Sequence, residues 1–159
     1  FWLPNRNKWY KGAYGSPSGD WFNYPTGSNT MPTAVSQGTL PNTAVYDQTG
    51  LADINDAGGL SAWGTMAQGG NAWEWIETSY DSTNDSTDKL RELRGGAAFG
   101  SPGDGNSTHL AAIHPFDATS YPSDELSFYG FRVAALPEPS ALSLLAVGLG
   151  GWAMIRRRR

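Results

Sequence analysis

The sequence of 159 residues contains no cysteine. This absence excludes disulfide bonds, thiolate metal ligands and a cysteine nucleophile. It does not indicate a compartment, because cytoplasmic and exported chains alike can lack cysteine. The chain also lacks an initiator methionine and opens with Phe1-Trp2-Leu3-Pro4, so we expect it to begin within a domain whose N-terminal part is missing.

Positive charge is scarce over most of the chain. Residues 1–136 hold seven lysines and arginines against fourteen aspartates and glutamates, a net charge of −7. A surface of this charge repels phosphate backbones, so nucleic acid is not an expected partner. Glycine and aromatic residues are abundant, with 20 of each in the whole sequence. This composition is typical of a loop-rich globule held by aromatic packing.

Few segments predict regular structure. Asn5 is a suitable N-cap for a short helix that ends near Gly15, with Trp9, Tyr10 and Ala13 on its inward face. Residues 28–62 are interrupted by glycine, proline and asparagine and predict loops, and the polar stretch 79–89 predicts an exposed loop. Strands are expected in three short segments, at residues 72–76, 93–99 and 128–134.

A different kind of segment begins at residue 136. Pro137 and Pro139 fix φ and lack N–H donors, so no preceding helix or strand continues through them. Eleven of the sixteen residues 140–155 are apolar and none is charged, and arginine occupies all of 156–159. A helix of this length spans roughly 24 Å, a little less than the hydrocarbon core of about 30 Å.

The arginine cluster orients this predicted helix. Moving four arginines through a bilayer is costly, so they are expected to stop transfer and stay on the cytoplasmic side, with the acidic domain outside. These membrane-stop residues are Arg156, Arg157, Arg158 and Arg159. A buried C-terminal helix with a basic end is the alternative, although such a helix should show a polar face.

The tail also resembles a known signal. Pro137, Glu138 and Pro139, followed by an apolar helix and terminal arginines, resemble the PEP-CTERM protein-sorting signal. The resemblance implies recognition of these three residues by an exosortase, a membrane protease, and export to the cell surface or extracellular matrix. A membrane-anchored protein whose tail is never cut is the alternative.

Three blocks in the body of the chain resemble a second family. They are Leu3-Pro4-x-x-x-x-Trp9, then Gly69-Gly70-Asn71-Ala72-Trp73-Glu74-Trp75, then Leu93-Arg94-Gly95-Gly96 together with Gly130-Phe131-Arg132-Val133-Ala134. Their order and spacing resemble the C-terminal half of the formylglycine-generating enzyme (sulfatase-modifying factor) family. The resemblance implies an α+β fold related to C-type lectins, with little regular secondary structure, at residues 1–135, followed by the tail at 136–159.

This sequence lacks some of the residues that the reaction of that family requires. Its founding enzymes use two cysteines and copper, and no residue here supplies a soft thiolate. The resemblance therefore predicts no catalytic residue in this sequence. An enzyme of the same fold with another metal is the alternative, and His109 and His114, with Asp104 and Asp117 nearby, are the candidate iron ligands. A spacing of five fits neither one helix face nor one strand face, although a loop could bring the histidines together.

Calcium is the metal that the resemblance favours. It implies Ca²⁺ held by the carbonyls of Gly70 and Ala72 and by the Glu74 side chain, which are the hard oxygen ligands that calcium prefers. Ala67 stands where the family usually has aspartate or asparagine, which should weaken the site. A second site maps loosely to Asp53 and Asn55.

Glu74 also has a purely structural interpretation. It could be a buried carboxylate that accepts hydrogen bonds from backbone N–H groups between packed Trp73 and Trp75. In the same way, Arg94 and Arg132 are expected to be paired with acidic groups inside the domain.

Most other aromatic residues are expected to pack in the core, although exposed ones could stack on sugar rings. Those expected to pack are Trp2, Trp9, Trp21, Trp63 and Tyr24. The leading hypothesis from the sequence is an exported, non-catalytic protein that binds a carbohydrate or protein ligand outside the cell. The alternative is an oxidoreductase or other metal-dependent enzyme of the same fold.

Overall fold

One helix and six short strands are joined by long loops in the computed structural model, which describes residues 2–99, 108–114 and 119–134. The elements are α1 Arg6–Tyr14, β1 Thr33–Ala34, β2 Thr43–Ala44, β3 Trp73–Ser79, β4 Arg91–Arg94, β5 Thr119–Ser120 and β6 Tyr129–Phe131, with a 3-10 turn at Thr108–Leu110. This mixture of one helix and mixed sheets agrees with the expected α+β class.

The helix begins and ends where the sequence predicts. The Asn5 side chain accepts a hydrogen bond from the Lys8 amide at 3.0 Å, which satisfies one of the free donors of the first turn. Gly15 closes the other end. The buried face of α1 consists of Trp9, Ala13 and Tyr14. The face is therefore turned slightly from the expected one, because Tyr10 is only partly buried.

The main sheet has the strand order β5-β4-β3-β6. The central strand β3 pairs antiparallel with β4 and parallel with β6. Alternate side chains of β3 point to opposite faces. Ile76 faces α1 and packs with Trp9, whereas Trp73 lies on the other face in a cluster with Leu93. We call these the helix face and the outer face of the sheet.

Two glycines turn the chain directly after β4. Gly95 and Gly96 have φ values of +92° and +77°, which side chains with a Cβ rarely adopt. The turn that the sequence predicts after Arg94 is thus present, and it ends the strand earlier than residue 99.

The region expected to consist of loops contains a small parallel sheet of β1 and β2. Ala44 of β2 and Val45 directly after it are almost completely buried. The sequence did not predict this sheet, because its backbone pairing depends on tertiary contacts and not on a hydrophobic period. The loop after β3 is exposed as expected. Lys89 bridges Asp81 and Asp85 within it, and hydrogen bonds from Lys89 hold the pKa of both carboxyls below its usual range.

The predictions for the C-terminal tail lie outside the described residues. They concern the apolar helix, the motif Pro137-Glu138-Pro139 and the four arginines, and they stay predictions. Within the part of the chain that the structure describes, no helix is long and apolar enough to cross a membrane.

Candidate functional site

A buried charged group lies between α1 and the helix face of the sheet. The Glu74 carboxylate on β3 is 7 % exposed. Its Oε2 atom accepts a hydrogen bond from the Trp9 indole Nε1 at 2.7 Å and another from Arg132 Nε at 2.8 Å. The Arg132 Nε also lies 2.6 Å from Oε1. Glu74 stands opposite Gly130 in the parallel ladder, so Arg132, two residues further on, reaches it from the same face.

The guanidinium of Arg132 has a second set of oxygen partners. Its Nη2 atom donates to the carbonyl oxygens of Met66 at 2.6 Å and Ala67 at 2.5 Å. Ala67 has a φ of +51°, an uncommon conformation for a residue with a Cβ. The guanidinium of Arg132 therefore contacts four oxygens, two from a carboxylate and two from the backbone.

Burial and pairing act in opposite directions on Glu74. Desolvation raises the pKa of its carboxyl above the usual value, whereas the charge and hydrogen bond of Arg132 and the hydrogen bond of Trp9 lower it in part. A carboxylate this deeply buried persists as an anion only if it keeps such partners.

This geometry bears on the predicted calcium ligands Gly70, Ala72 and Glu74. Gly70 has a φ of +78°, and a Cβ there would lie 2.5 Å from the Val45 carbonyl oxygen, so packing alone requires glycine. Glu74 Oε2 already accepts two hydrogen bonds, and Oε1 lies 2.6 Å from the positively charged Arg132. The calcium site stays a prediction, and Glu74 fits a metal ion poorly, because its oxygens are already engaged whereas Ca²⁺ takes six to eight oxygen ligands.

The structural interpretation of Glu74 is closer to what is observed, with two differences. The donors are the side chains of Trp9 and Arg132 and not backbone N–H groups. Trp73 and Trp75 point to the outer face of the sheet and do not enclose the carboxylate. Strand alternation explains the second difference, since residues 73, 75 and 74 cannot share a face.

The loosely predicted second site is an exposed loop. Asp53 Oδ1 accepts from the amide and side chain of Asn55, at 2.9 and 3.2 Å. Among the described residues, no group of three or more histidine, cysteine, aspartate or glutamate side chains is placed to hold a metal ion.

A second buried carboxylate joins the helix to the sheet. Glu92 on β4 accepts from Arg94 Nη2 at 2.8 Å and from Arg6 Nε at 3.0 Å. Glu92 and Arg94 are both nearly inaccessible. The prediction that Arg94 and Arg132 pair with acidic groups inside the domain is therefore confirmed.

The two histidines come together despite their spacing of five. The ring centroids of His109 and His114 lie 4.5 Å apart, and His109 contacts Trp73 edge-on at 4.9 Å. His109 lies in the 3-10 turn, and a second turn follows in which the His114 amide donates to the Ala111 carbonyl at 3.0 Å. The other candidate iron ligands, Asp104 and Asp117, lie outside the described residues, so the iron site stays a prediction.

An open groove of about 670 Å³ runs over the outer face of the sheet. Trp75 of β3 and Phe131 of β6 are direct neighbours in the ladder and form its aromatic part. Phe131 is 67 % exposed. The other lining residues are Leu3, Ile76, Glu77, Asn84, Thr87, Arg91 and Pro122.

The expectation that most aromatics pack is wrong for two of them. Trp21 is 62 % and Trp63 is 42 % exposed, whereas Trp9 is 2 % exposed. The helical pattern placed Trp9 on a buried face, whereas Trp21 and Trp63 lie in segments without such a pattern, so only tertiary contacts determine their exposure. The groove residues Phe131, Glu77 and Arg91 were missed for the same reason. Alternation along β3 could have placed residues 75 and 77 on one face, but not β6 beside them.

Comparison with known proteins gives one match. Residues 1–136 match the family described as the sulfatase-modifying factor enzyme 1-like domain. No curated protein and no solved structure was found to be similar to this sequence. The match covers well over half of the 159 residues, and it includes the Gly-Asn-x-Trp-Glu-Trp block whose glutamate lies at the buried charged centre. The protein therefore belongs to the family of the sulfatase-modifying factor enzyme 1-like domain.

Proposed function

We propose that this protein is an exported, non-catalytic member of its family that binds a neutral carbohydrate in the groove on the outer face of the sheet. The observation that carries the proposal is the pair formed by Trp75 and Phe131. They are adjacent in register, and Phe131 exposes two thirds of its surface. Phe131 lies on the short edge strand β6, where a ring with this much exposed surface contributes little to the packing of the sheet.

A non-catalytic role is supported by the chemistry of the available donors. The cysteine and copper reaction of the family's founding enzymes has no ligands here, because the sequence contains no cysteine. The residues present therefore do not fit a copper ion, and no step of that reaction is assigned to this chain.

The composition of the groove supports a sugar as the ligand. Sugar rings present C–H groups that contact aromatic faces and hydroxyls that need polar partners. Trp75 and Phe131 supply the aromatic surface of the groove. Glu77 and Arg91 add charged groups and Asn84 adds an amide, with Arg91 Nη1 donating to the Asn84 side-chain oxygen at 2.8 Å. The net charge of −7 over residues 1–136 disfavours an anionic polymer. A neutral oligosaccharide can contact both the aromatic surface and the polar groups, and it carries no negative charge that the protein would repel.

Replacing Phe131 by alanine is expected to weaken oligosaccharide binding about tenfold, since an aromatic contact contributes up to about 1.5 kcal/mol. The measurement is calorimetric titration of the full-length protein with a panel of neutral glucose, galactose and mannose oligosaccharides. Trp21→Ala is the matched control, because Trp21 is similarly exposed but does not line the groove. Its affinity should stay within twofold.

The carbohydrate proposal fails if no oligosaccharide of the panel binds. It also fails if Phe131→Ala and Trp21→Ala weaken binding equally. Binding of an apolar or peptide ligand in place of the sugars would assign the groove to another class of ligand.

We propose further that the tail at 136–159 sorts the protein through an exosortase that recognises Pro137, Glu138 and Pro139. In the producing cell, the mature protein is expected to have lost Arg159 and the other terminal arginines by cleavage. Mass spectrometry of the purified mature C-terminus measures this. An intact Arg159 would favour an uncut membrane anchor.

A further inference from the structure

The oxygens around Arg132 resemble the ligand set of a cation site. A carboxylate from β3 and two backbone carbonyls from residues 66 and 67 converge on one point, where the positive charge is a guanidinium. The carbonyls belong to the segment directly before the Gly-Asn-x-Trp-Glu-Trp block, and Glu74 belongs to the block itself. This is the segment in which the family resemblance implies calcium.

Two features of this arrangement disfavour the binding of a metal ion to Glu74 beside the guanidinium. Its nitrogens lie 2.5 to 2.8 Å from these four oxygens, so both carboxylate oxygens already lie against a positively charged group. A divalent cation that bound Glu74 at a normal distance would also lie only a few ångströms from the positive charge of Arg132, in a region where solvent screens little.

We propose that Arg132 is the resident cation of this site, and that the domain folds and keeps its Gly70–Glu74 segment in place without calcium. Arg132 neutralises the buried carboxylate and donates hydrogen bonds to the carbonyls of Met66 and Ala67. The backbone carbonyl of Ala67 accepts a hydrogen bond from the guanidinium. The Ala67 side chain has no oxygen that could bind a metal ion.

Two measurements on the full-length protein test this proposal. The first is thermal unfolding with 10 mM calcium chloride and with a chelator. The melting temperature is expected to be the same in both. A metal bound with a dissociation constant of about 0.1 mM would raise it by several degrees. Such a rise, or heat released on titration with calcium chloride, would overturn the proposal.

The second measurement uses variants of the ion pair. Arg132→Met is expected to lower the melting temperature by about 10 °C, because Glu74 is then buried without its cation. Lys89→Met is the matched control, since it removes one paired positive charge among exposed carboxylates. Its melting temperature should fall by at most about 3 °C.

A double variant separates the role of charge from that of packing. Glu74→Gln combined with Arg132→Met removes the unpaired charge and keeps an oxygen to accept from Trp9. It is expected to melt at a higher temperature than Arg132→Met alone. If the double variant is no more stable, or if Arg132→Met alone melts like the wild type, Arg132 does not act as the cation of this site.

Discussion

Replacing Trp9 by alanine is expected to lower the free energy of unfolding by about 3–5 kcal/mol, as for other large buried aromatic residues. Trp9 is 2 % exposed, and its ring lies 5.9 Å from that of Tyr14 in an edge-on contact. The substitution removes this packing from the junction of helix and sheet. It also removes the indole N–H that donates to the buried Glu74.

Two further variants divide this effect into its parts. Trp9→Phe keeps most of the ring and loses only the N–H donor, so its loss of stability should be clearly smaller than that of Trp9→Ala. Trp21→Ala removes the same side chain from an exposed position and should change stability by about 0.5 kcal/mol or less. Chemical denaturation measures all three. Equal losses for Trp9→Ala and Trp21→Ala would contradict the packing derived from the structure.

Replacing Glu92 by glutamine is the second large expected effect, with a loss of about 3–5 kcal/mol. The substitution keeps the shape of the side chain but takes the negative charge from between Arg94 and Arg6. Arg94 is 6 % exposed, so its charge is not compensated by water. The link between α1 and β4 is weakened at the same time, because Arg6 belongs to the helix.

Glu77→Gln provides the control for this experiment. Glu77 lies on the adjacent strand β3 and is exposed, so loss of its charge should change stability by no more than about 0.5 kcal/mol. Denaturant titration of both variants at neutral pH gives the comparison. A Glu92→Gln variant as stable as Glu77→Gln would show that Arg94 is adequately compensated without this carboxylate.

Local chemistry explains which parts of the fold could be predicted from the sequence. Asn5 and Gly15 mark the ends of α1 because capping depends on residues only a few positions apart. Gly95 and Gly96 mark the turn after β4 for the same reason. The pairing of β1 with β2 could not be predicted, because two strands of two residues carry no period that separates them from loops.

The candidate site was predictable in part. The expectation that Arg94 and Arg132 are paired needed only the rule that buried arginine requires an acidic partner. It did not identify those partners, since Arg132 and Glu74 are 58 positions apart. The calcium hypothesis followed from the family resemblance of the block around Glu74, but nothing in that block indicates that Arg132, directly after the last strand, would reach the same carboxylate.

The sequence by itself determined that this chain supplies no thiolate ligand. The absence of cysteine removes the thiolates of its family's founding enzymes, and no folding can restore them. Only the tertiary structure decided which charges meet and which aromatic rings remain at the surface. Arg132 reaches Glu74, and Phe131 lies beside Trp75, because β6 pairs in parallel with β3. That pairing brings together segments more than fifty residues apart, and so it depends on the packing of the whole domain.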